Sequence, residues 1–561
     1  MFHIKKQRFL GVLFALLAEF ALVSCTGTGG ADKETKTIRI LATSDLHGKF
    51  MPWEYALNQE NKMGSLPQLA AAIKEYRTDH TLLMDAGDLI QENFAEIFVG
   101  QDEVHPMVQG VNALDYDVFV TGNHDYNYGM DVLRKMIADL KPTVLVGNVY
   151  DESGKPLADG YHIFDVDGVR VAVIGMVSPN IVYWDSEKLK DCKVTDPLEE
   201  TRKIIDGIQG QYDVLVGVFH MSLTNELDTP NSGVIDICNS CPEFDLMVSS
   251  HQHIQIVSED VNGVMVVQNK YMAQTMSLID ISLEKCENGW SITDQKADSI
   301  NIGDYDPDPE LTETLMPYHK TALEESRKVI GRLEGGPLVP DENSPELKDF
   351  PYQSDLAIPR LIDTPLIDLI NDVQMYYSGA EVSATCLCEK DSNIEEGDIH
   401  KYDAANVYKF NNTLYKIHMN GRQLKCFMEW SVGYFEKPDV DKKELTSDEK
   451  FAHYNYMIFD GVNYEINLAR PVGSRIENLT WPDGKPVSDE EEFDIALNDY
   501  CANSHVLKPG FIYPEGEEMP TLVKTDMRTD IGGVRELMAD YILNVKKGTI
   551  TPECNHNWII K

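Results

Sequence analysis

Positive charge is scarce in this chain. Lys and Arg number 49 against 92 Asp and Glu, giving a formal net charge of −43. That balance excludes a nucleic-acid polymer as the main ligand, because a phosphate backbone demands a basic footprint. A single nucleotide stays open, since bound cations can invert a local field, and most of the charge serves solvation. Long apolar runs are also missing, and past the N-terminal segment none is long enough to cross a membrane. Cysteine is sparse, ten in 561 residues. Neither close pair, Cys238-Asn-Ser-Cys241 or Cys386-Leu-Cys388, is followed by the second pair or the histidines that a zinc knuckle needs. Both read as buried thiols or local disulfides. No internal repeat interrupts the chain, and its length is ample for two domains.

The N-terminus carries an address. Lys5, Lys6 and Arg8 precede a short apolar run from Phe9 to Ala18, too short to span a bilayer. Leu22-Val23-Ser24-Cys25 resembles the lipobox of bacterial lipoproteins. That resemblance implies a signal peptide over 1–24, acylation of Cys25 and a polar tether over 25–36, with the membrane touched only through the lipid. The expected place is extracytoplasmic, on the periplasmic face or the cell surface. The nine cysteines left are an odd count for an exported chain, so at least one thiol is free or pairs between chains.

From Thr37 to about Ile302 apolar strands alternate with helical stretches at Leu66–Tyr76, Met130–Leu140 and Pro197–Ile208. Mixed β and α with parallel strands is the expectation. The breaker cluster Asp304–Pro309 ends this first domain (37–303). A helical linker (304–336) follows, with Pro317 interrupting its long helical pattern near the start and Gly335-Gly336-Pro337 closing it. A second domain is expected over 337–548, with helices near Ile358–Ser378, Gly421–Tyr434 and Gly533–Val545, and a tail over 549–561. Glu436–Lys450 is charged and reads as a surface loop.

Five apolar runs end in residues that can bind a metal. TIRILATS leads to Asp45 and His47, HTLLMDAG to Asp88, and YDVFVTG to Asn123-His124-Asp125. YDVLVGVF ends at His220, and FDLMVSS at His251 and His253. One carboxylate after a strand is usually a turn residue or a cap. Five in order suggest strands of one sheet aiming their carboxyl ends at a single point, where open α/β sheets place their sites. Carboxylate, amide oxygen and imidazole suit hard or borderline divalent cations, and two such ions can ionise a nucleophile and neutralise a phosphoryl group. His80, His105 and His162 lie outside these runs and read as structural, and Asp85 and Asp125 read as supporting groups.

DxH, GD, GNHD, the lone His220 and HxH resemble the calcineurin-like metallophosphoesterases. The resemblance implies an α/β fold with an αββα sandwich, and two divalent ions (Zn, Mn, Co, Fe or Mg) bridged by Asp88. Asp45, His47 and His253 would complete one site, and Asn123, His220 and His251 the other. His124 would stabilise phosphoryl oxygens or protonate the leaving group. Farther on, Phe410-Asn411-Asn412-Thr413-Leu414, Met419–Leu424 and Asn498-Asp499-Tyr500 resemble motifs of the bacterial 5'-nucleotidase family. These imply a C-terminal α+β domain whose Phe410 and Tyr500 sandwich a nucleobase, with Asn412 as a polar contact.

Three departures from that family stand out. Ser383–Asp391 has no arginine, Cys501–His505 replaces a glycine-rich run, and Asn127 stands where an aspartate would orient His124. Together with Phe459–Ile466 and Arg470–Ile476, they look more like the 2',3'-cyclic-nucleotide 2'-phosphodiesterase/3'-nucleotidase branch. The resemblance therefore implies attack of a metal-bridging hydroxide on the phosphorus of a nucleotide, for extracytoplasmic scavenging by a monomer. The alternatives are a 5'-nucleotidase or UDP-sugar hydrolase with the same site, or a non-catalytic ligand-binding surface lipoprotein.

Overall fold

The computed structural model describes residues 33–561, apart from Asp228, Asn411, Val440 and Thr529. The signal peptide, the acylation of Cys25 and most of the tether lie outside the described residues.

Alternation within the apolar runs decides the layering. In the strand Thr35–Thr43, Ile38, Ile40 and Ala42 enter one core while Leu41 enters another, and all four are buried. Val171, Val173, Val216, Val218 and Val248 meet the first set from a second sheet. The opposite faces are covered by helices: Leu66–Tyr76, Pro106–Ala113 and Met130–Asp139 on one side, Pro197–Ile208 and Val234–Ser240 on the other. The result is a helix–sheet–sheet–helix sandwich. One sheet runs Gly289–Asn301, Thr275–Cys286, Thr35–Thr43, Thr81–Asp85, Val118–Val120, Thr143–Leu145, its last four strands parallel. The other runs Ile256–Val261, Val264–Gln268, Leu246–Ser249, Val214–His220, Val169–Val177, Tyr161–Val166, with a parallel centre.

This bears out the αββα sandwich that the family resemblance implied and corrects the reading of the five apolar runs as strands of one sheet. Three motif strands lie in the first sheet, and the two that end at His220 and just before His251 lie in the second. Strands buried on both faces read as continuous apolar runs, and such runs do not say which of two stacked sheets they join.

The opposite edge of the sandwich carries its own carboxylates. Asp117 and Asp245 precede strands and accept the N–H groups of Leu83 and Leu215 at 2.8 Å each. Burial raises Asp245 to about 6, against the pull of the Leu215 N–H. An unfolded aspartate titrates near about 3.9, so the folded state favours the protonated acid. The stability it contributes is full below about pH 4 and is lost as pH rises through about 6. Asp245→Asn stays neutral and keeps an oxygen for Leu215. It is expected to flatten that loss, by up to about 3 kcal/mol, in thermal melts taken across the range. An unchanged pH profile would refute this.

The linker departs from its sequence pattern. Its helix Pro309–Ser326 runs straight through Pro317, because Leu311, Leu315 and Ala322 on one stripe are held in the N-terminal core and outweigh the lost hydrogen bond. Beyond it, Val329–Leu333 is a strand. The expected helix near Ile358–Ser378 is two, Ile358–Leu361 and Pro365–Ser378, split where Pro365 starts a new N-terminus. The second domain centres on a five-stranded sheet in the order Met457–Asp460, Val382–Cys386, Glu492–Asn498, Leu414–Asn420, Thr521–Met527. The stretch 549–561 is not a tail outside this domain. Thr549–Ile550 pairs with Val329–Leu333, and Trp558–Ile560 pairs with Asn463–Ile466, burying Trp558 and Ile560. Among the described residues no helix is long and apolar enough to cross a membrane. Cys238, Cys241, Cys386 and Cys388 are buried free thiols.

Candidate active site

The motif residues from both sheets converge. Asp45, His47 and His253 form one cluster, and Asp88, His220 and His251 another. His47 Nε2 stands 3.1 Å from His253 Nε2 and 3.8 Å from Asp88 Oδ2. His220 Nε2 lies 3.1 Å from Asp88 Oδ2 and 2.9 Å from Asn123 Oδ1. Asp45 Oδ1 is 3.5 Å from His253 Nε2 and 4.0 Å from His220 Nε2. The seven residues proposed from sequence thus share one centre, and Asp88 reaches imidazoles of both clusters.

The backbone is bent to bring them there. Asp45, His47, Asp88, His251 and His253 all have positive φ, between 41° and 74°, a conformation that costs a non-glycine residue about 1–3 kcal/mol. Glycine serves elsewhere: a Cβ on Gly122 would stand 2.1 Å from Asp88 Oδ1. Asp125, buried, accepts the N–H groups of Gly122, Asp88 and Leu89 at 2.8, 3.2 and 3.0 Å and so fixes the two motif loops to each other.

The donor set fits divalent cations. Asp45 Oδ2 and Asp88 Oδ2 are buried and accept no hydrogen bond, a cost that a cation would remove. His47 Nδ1 faces Gln91 Oε1 at 3.2 Å, and His220 Nδ1 faces the Ala86 carbonyl at 2.6 Å. With the protons on those nitrogens, each Nε2 lone pair points into the centre, the usual way a second partner sets a metal-binding tautomer. Electrostatics agree. Burial alone would raise Asp45, but His253 and His220 hold it at about 2. Burial pushes His220 down, yet Asp88 and Asp45 lift it to about 10, so that without an ion its Nε2 carries a proton that a bound cation would displace. Burial lowers His47 to about 4. The centre is a pair of ionised carboxylates calling for positive charge.

His124 stands beside these clusters, its ring centroid 5.5 Å from that of His47. Its N–H donates to Asp88 Oδ1 at 2.7 Å, and its Nδ1 is 2.8 Å from Asn127 Oδ1. Asn127 Nδ2 in turn donates to Asp185 Oδ2 at 2.8 Å, and Lys188 pairs with Asp185 Oδ1 at 2.8 Å. A carboxylate only accepts, so Asp185 fixes the amide with its oxygen toward His124. That oxygen places the proton on Nδ1 and leaves Nε2 as the unprotonated nitrogen. Sequence reading saw the missing carboxylate at Asn127 but not its substitute, which lies 58 residues on.

The second domain brings aromatic rings to the same mouth. Tyr454, which the sequence reading did not single out, lies edge-on to both, at 6.2 Å from Phe410 and 5.9 Å from Tyr500. Asn412 donates to Asp499 Oδ1 at 3.0 Å. The two domains meet here. Glu226, 3.0 Å from His251 Nε2, adds its charge to the burial that raises the Tyr500 and Tyr454 phenols. Lys409 stands 3.9 Å from Glu92 and 5.5 Å from the ring centre of Tyr271, which stacks on His253. Behind the mouth a cavity of about 820 Å³ runs between the domains, lined among others by Asn127, Lys188, Thr413 and Arg535.

Comparison with known proteins matches this anatomy. Residues 38–255 match the family model of the calcineurin-like phosphoesterases, and residues 345–509 that of the 5'-nucleotidase C-terminal domain. A Yersinia enterocolitica 2',3'-cyclic-nucleotide 2'-phosphodiesterase/3'-nucleotidase is 26% identical over 606 residues, covering 96% of this chain and 90% of that one. A Bacillus subtilis trifunctional nucleotide phosphoesterase is 26% identical over 600 residues, covering 93% of this chain. The chain spans only 39% of that relative's length. Among solved structures, a Staphylococcus aureus protein in complex with alpha-ketoglutarate shares the fold, with a TM-score of 0.77 and 21% identity over 94% of this chain and 100% of that one.

Proposed function

The chain belongs to the calcineurin-like phosphoesterases that carry a 5'-nucleotidase C-terminal domain, and on that premise we propose that it hydrolyses 2',3'-cyclic nucleotides and 3'-nucleotides. The observation that carries this reading is the meeting of the His/Asp centre with the Phe410–Tyr454–Tyr500 row at Glu226. A phosphoester centre and a surface for a planar base then lie at one mouth. Asp45, His47, Asp88 and His253 would hold one divalent ion, and Asp88, Asn123, His220 and His251 the other. Such ions supply charge neutralisation for the phosphoryl group and lower the pKa of the attacking water.

The remaining work falls to the chain's own residues. His124, its Nε2 free, accepts or delivers a proton at a phosphoryl or leaving-group oxygen. Phe410, Tyr454 and Tyr500 hold the base by stacking and by edge contact, and Asn412, steadied by Asp499, adds a polar contact. Lys409 brings a cation to the metal-side wall, where its pairing with Glu92 is exposed to competition from a substrate phosphate. Since centre and rings sit on different domains, relative motion of the two admits substrate and releases product. The leader and Cys25 would place this chemistry outside the cytoplasm on a lipid anchor, where it yields nucleosides and phosphate.

A substrate panel with Mn²⁺, Zn²⁺, Co²⁺ and Mg²⁺ tests the reading. A 2',3'-cyclic nucleotide and a 3'-nucleotide should be turned over faster than a 5'-monophosphate. Hydrolysis of the 5'-monophosphate alone would overturn the choice of branch, and no turnover with any metal would overturn the enzymatic reading.

Removing rings tests the base surface. Stacking contributes about 1–3 kcal/mol per base. Alanine at Phe410, Tyr454 or Tyr500 is therefore expected to raise KM for nucleotides roughly 5- to 150-fold with little change on a small non-nucleotide phosphodiester. Equal losses on both substrates would show that the rings merely support the fold.

A further inference from the structure

Far from the proposed catalytic centre, the irregular segment before the last strand folds against the start of the helix Pro365–Ser378. It brings Cys554 and His556 to Asp363. A carboxylate oxygen, the thiol sulfur and a ring nitrogen of these three lie within 4.8 Å of one another. Cys554 Sγ is 3.5 Å from His556 Nδ1.

The arrangement is braced from behind. The Asn555 N–H donates to Asp368 Oδ2 at 2.8 Å, and its side-chain amide donates to both oxygens of Asp460 at 3.0 Å. Asn557 N–H and Trp558 Nε1–H donate to the two oxygens of Asp363 at 3.2 and 3.1 Å. Asn555 and Asn557 are thus tied to the domain, and the residues that alternate with them, Cys554 and His556, stand beside Asp363. His556 takes a positive φ of 52°, which a histidine adopts at a cost.

Three carboxyl groups crowd this spot. Asp363, Asp368 and Asp460 are all buried. Ionising carboxyls crowded together in a buried place is expensive, and a cation would relieve it.

We propose that Asp363, Cys554 and His556 form a third divalent-cation site that fastens the last strand to the second domain. One thiolate, one imidazole and one carboxylate favour Zn²⁺ or Co²⁺ over Mg²⁺ or Ca²⁺. Three protein ligands leave a fourth position to water. Binding releases the Cys554 thiol proton to solvent, so affinity rises with pH. The inference is independent of the catalytic reading, because none of the residues proposed to hold the catalytic ions carries sulfur.

Cobalt loading of the full chain tests it, because only a thiolate ligand gives a near-ultraviolet sulfur-to-cobalt charge-transfer band. The wild type should bind three equivalents of Co²⁺ and show that band. Cys554→Ser should bind two, lose the band and keep phosphoesterase activity, and His556→Ala should weaken the band. Two equivalents and no band in the wild type would overturn the proposal. So would a band that survives Cys554→Ser, since another thiol would then be its source.

Discussion

Asp88→Asn is expected to lower kcat/KM on a nucleotide phosphoester by about 10³-fold or more; in a Cys554→Ser background, where only the catalytic ions count, bound metal should fall from two equivalents toward one or none. The expectation rests on position. Asp88 is buried, one of its oxygens accepts no hydrogen bond, and it stands 3.1 Å from His220 and 3.8 Å from His47. An amide keeps the shape and the acceptor for the His124 N–H but removes the charge that couples the two clusters. Metal content by elemental analysis and steady-state rates check it. Two equivalents retained in that background, with activity within about tenfold of its parent, would show that Asp88 is not the shared ligand.

The second large effect concerns His124. His124→Ala should cost about 10²- to 10⁴-fold in kcat with both metals retained. That split distinguishes proton transfer or oxyanion stabilisation from metal binding. The relay behind it makes a sharper claim. Asn127→Asp would supply the carboxylate that the family resemblance led one to expect there, yet it would set two carboxylates at the 2.8 Å contact now made by Asn127 and Asp185. The single change should therefore impair activity. Pairing it with Asp185→Asn exchanges the two groups and should recover most of the loss, a coupling a double-mutant cycle measures directly. Additive losses would mean that Asp185 does not hold Asn127 in register.

How much of this was legible in the sequence follows from where each residue stands. The metal-centre residues could be read because each follows an apolar run, and a strand end is a local signal. Their division between two sheets could not, because burial on both faces gives the same pattern in either. Asp185 escaped notice because its role depends on a contact with Asn127 across the fold. Tyr454 sat beyond a charged loop where no motif marks it, although it stands between the two rings that the motifs did mark. Cys554-Asn-His556 is a short spacing with no meaning until Asp363 is brought beside it. The linker helix was misread at Pro317 because a local penalty was weighed without the core contacts that repay it.

The left-handed backbone at Asp45, His47, Asp88, His251 and His253 carries a consequence for how this sequence can change over time. At each of these positions glycine would relax the main chain by about 1–3 kcal/mol and erase a candidate ligand in the same step. Heat resistance and turnover therefore pull in opposite directions at the same five codons. A library screened for thermal survival alone should enrich inert proteins, as should a lineage in which the need for this activity has lapsed. Retention of all five non-glycine residues is a mark of continued use.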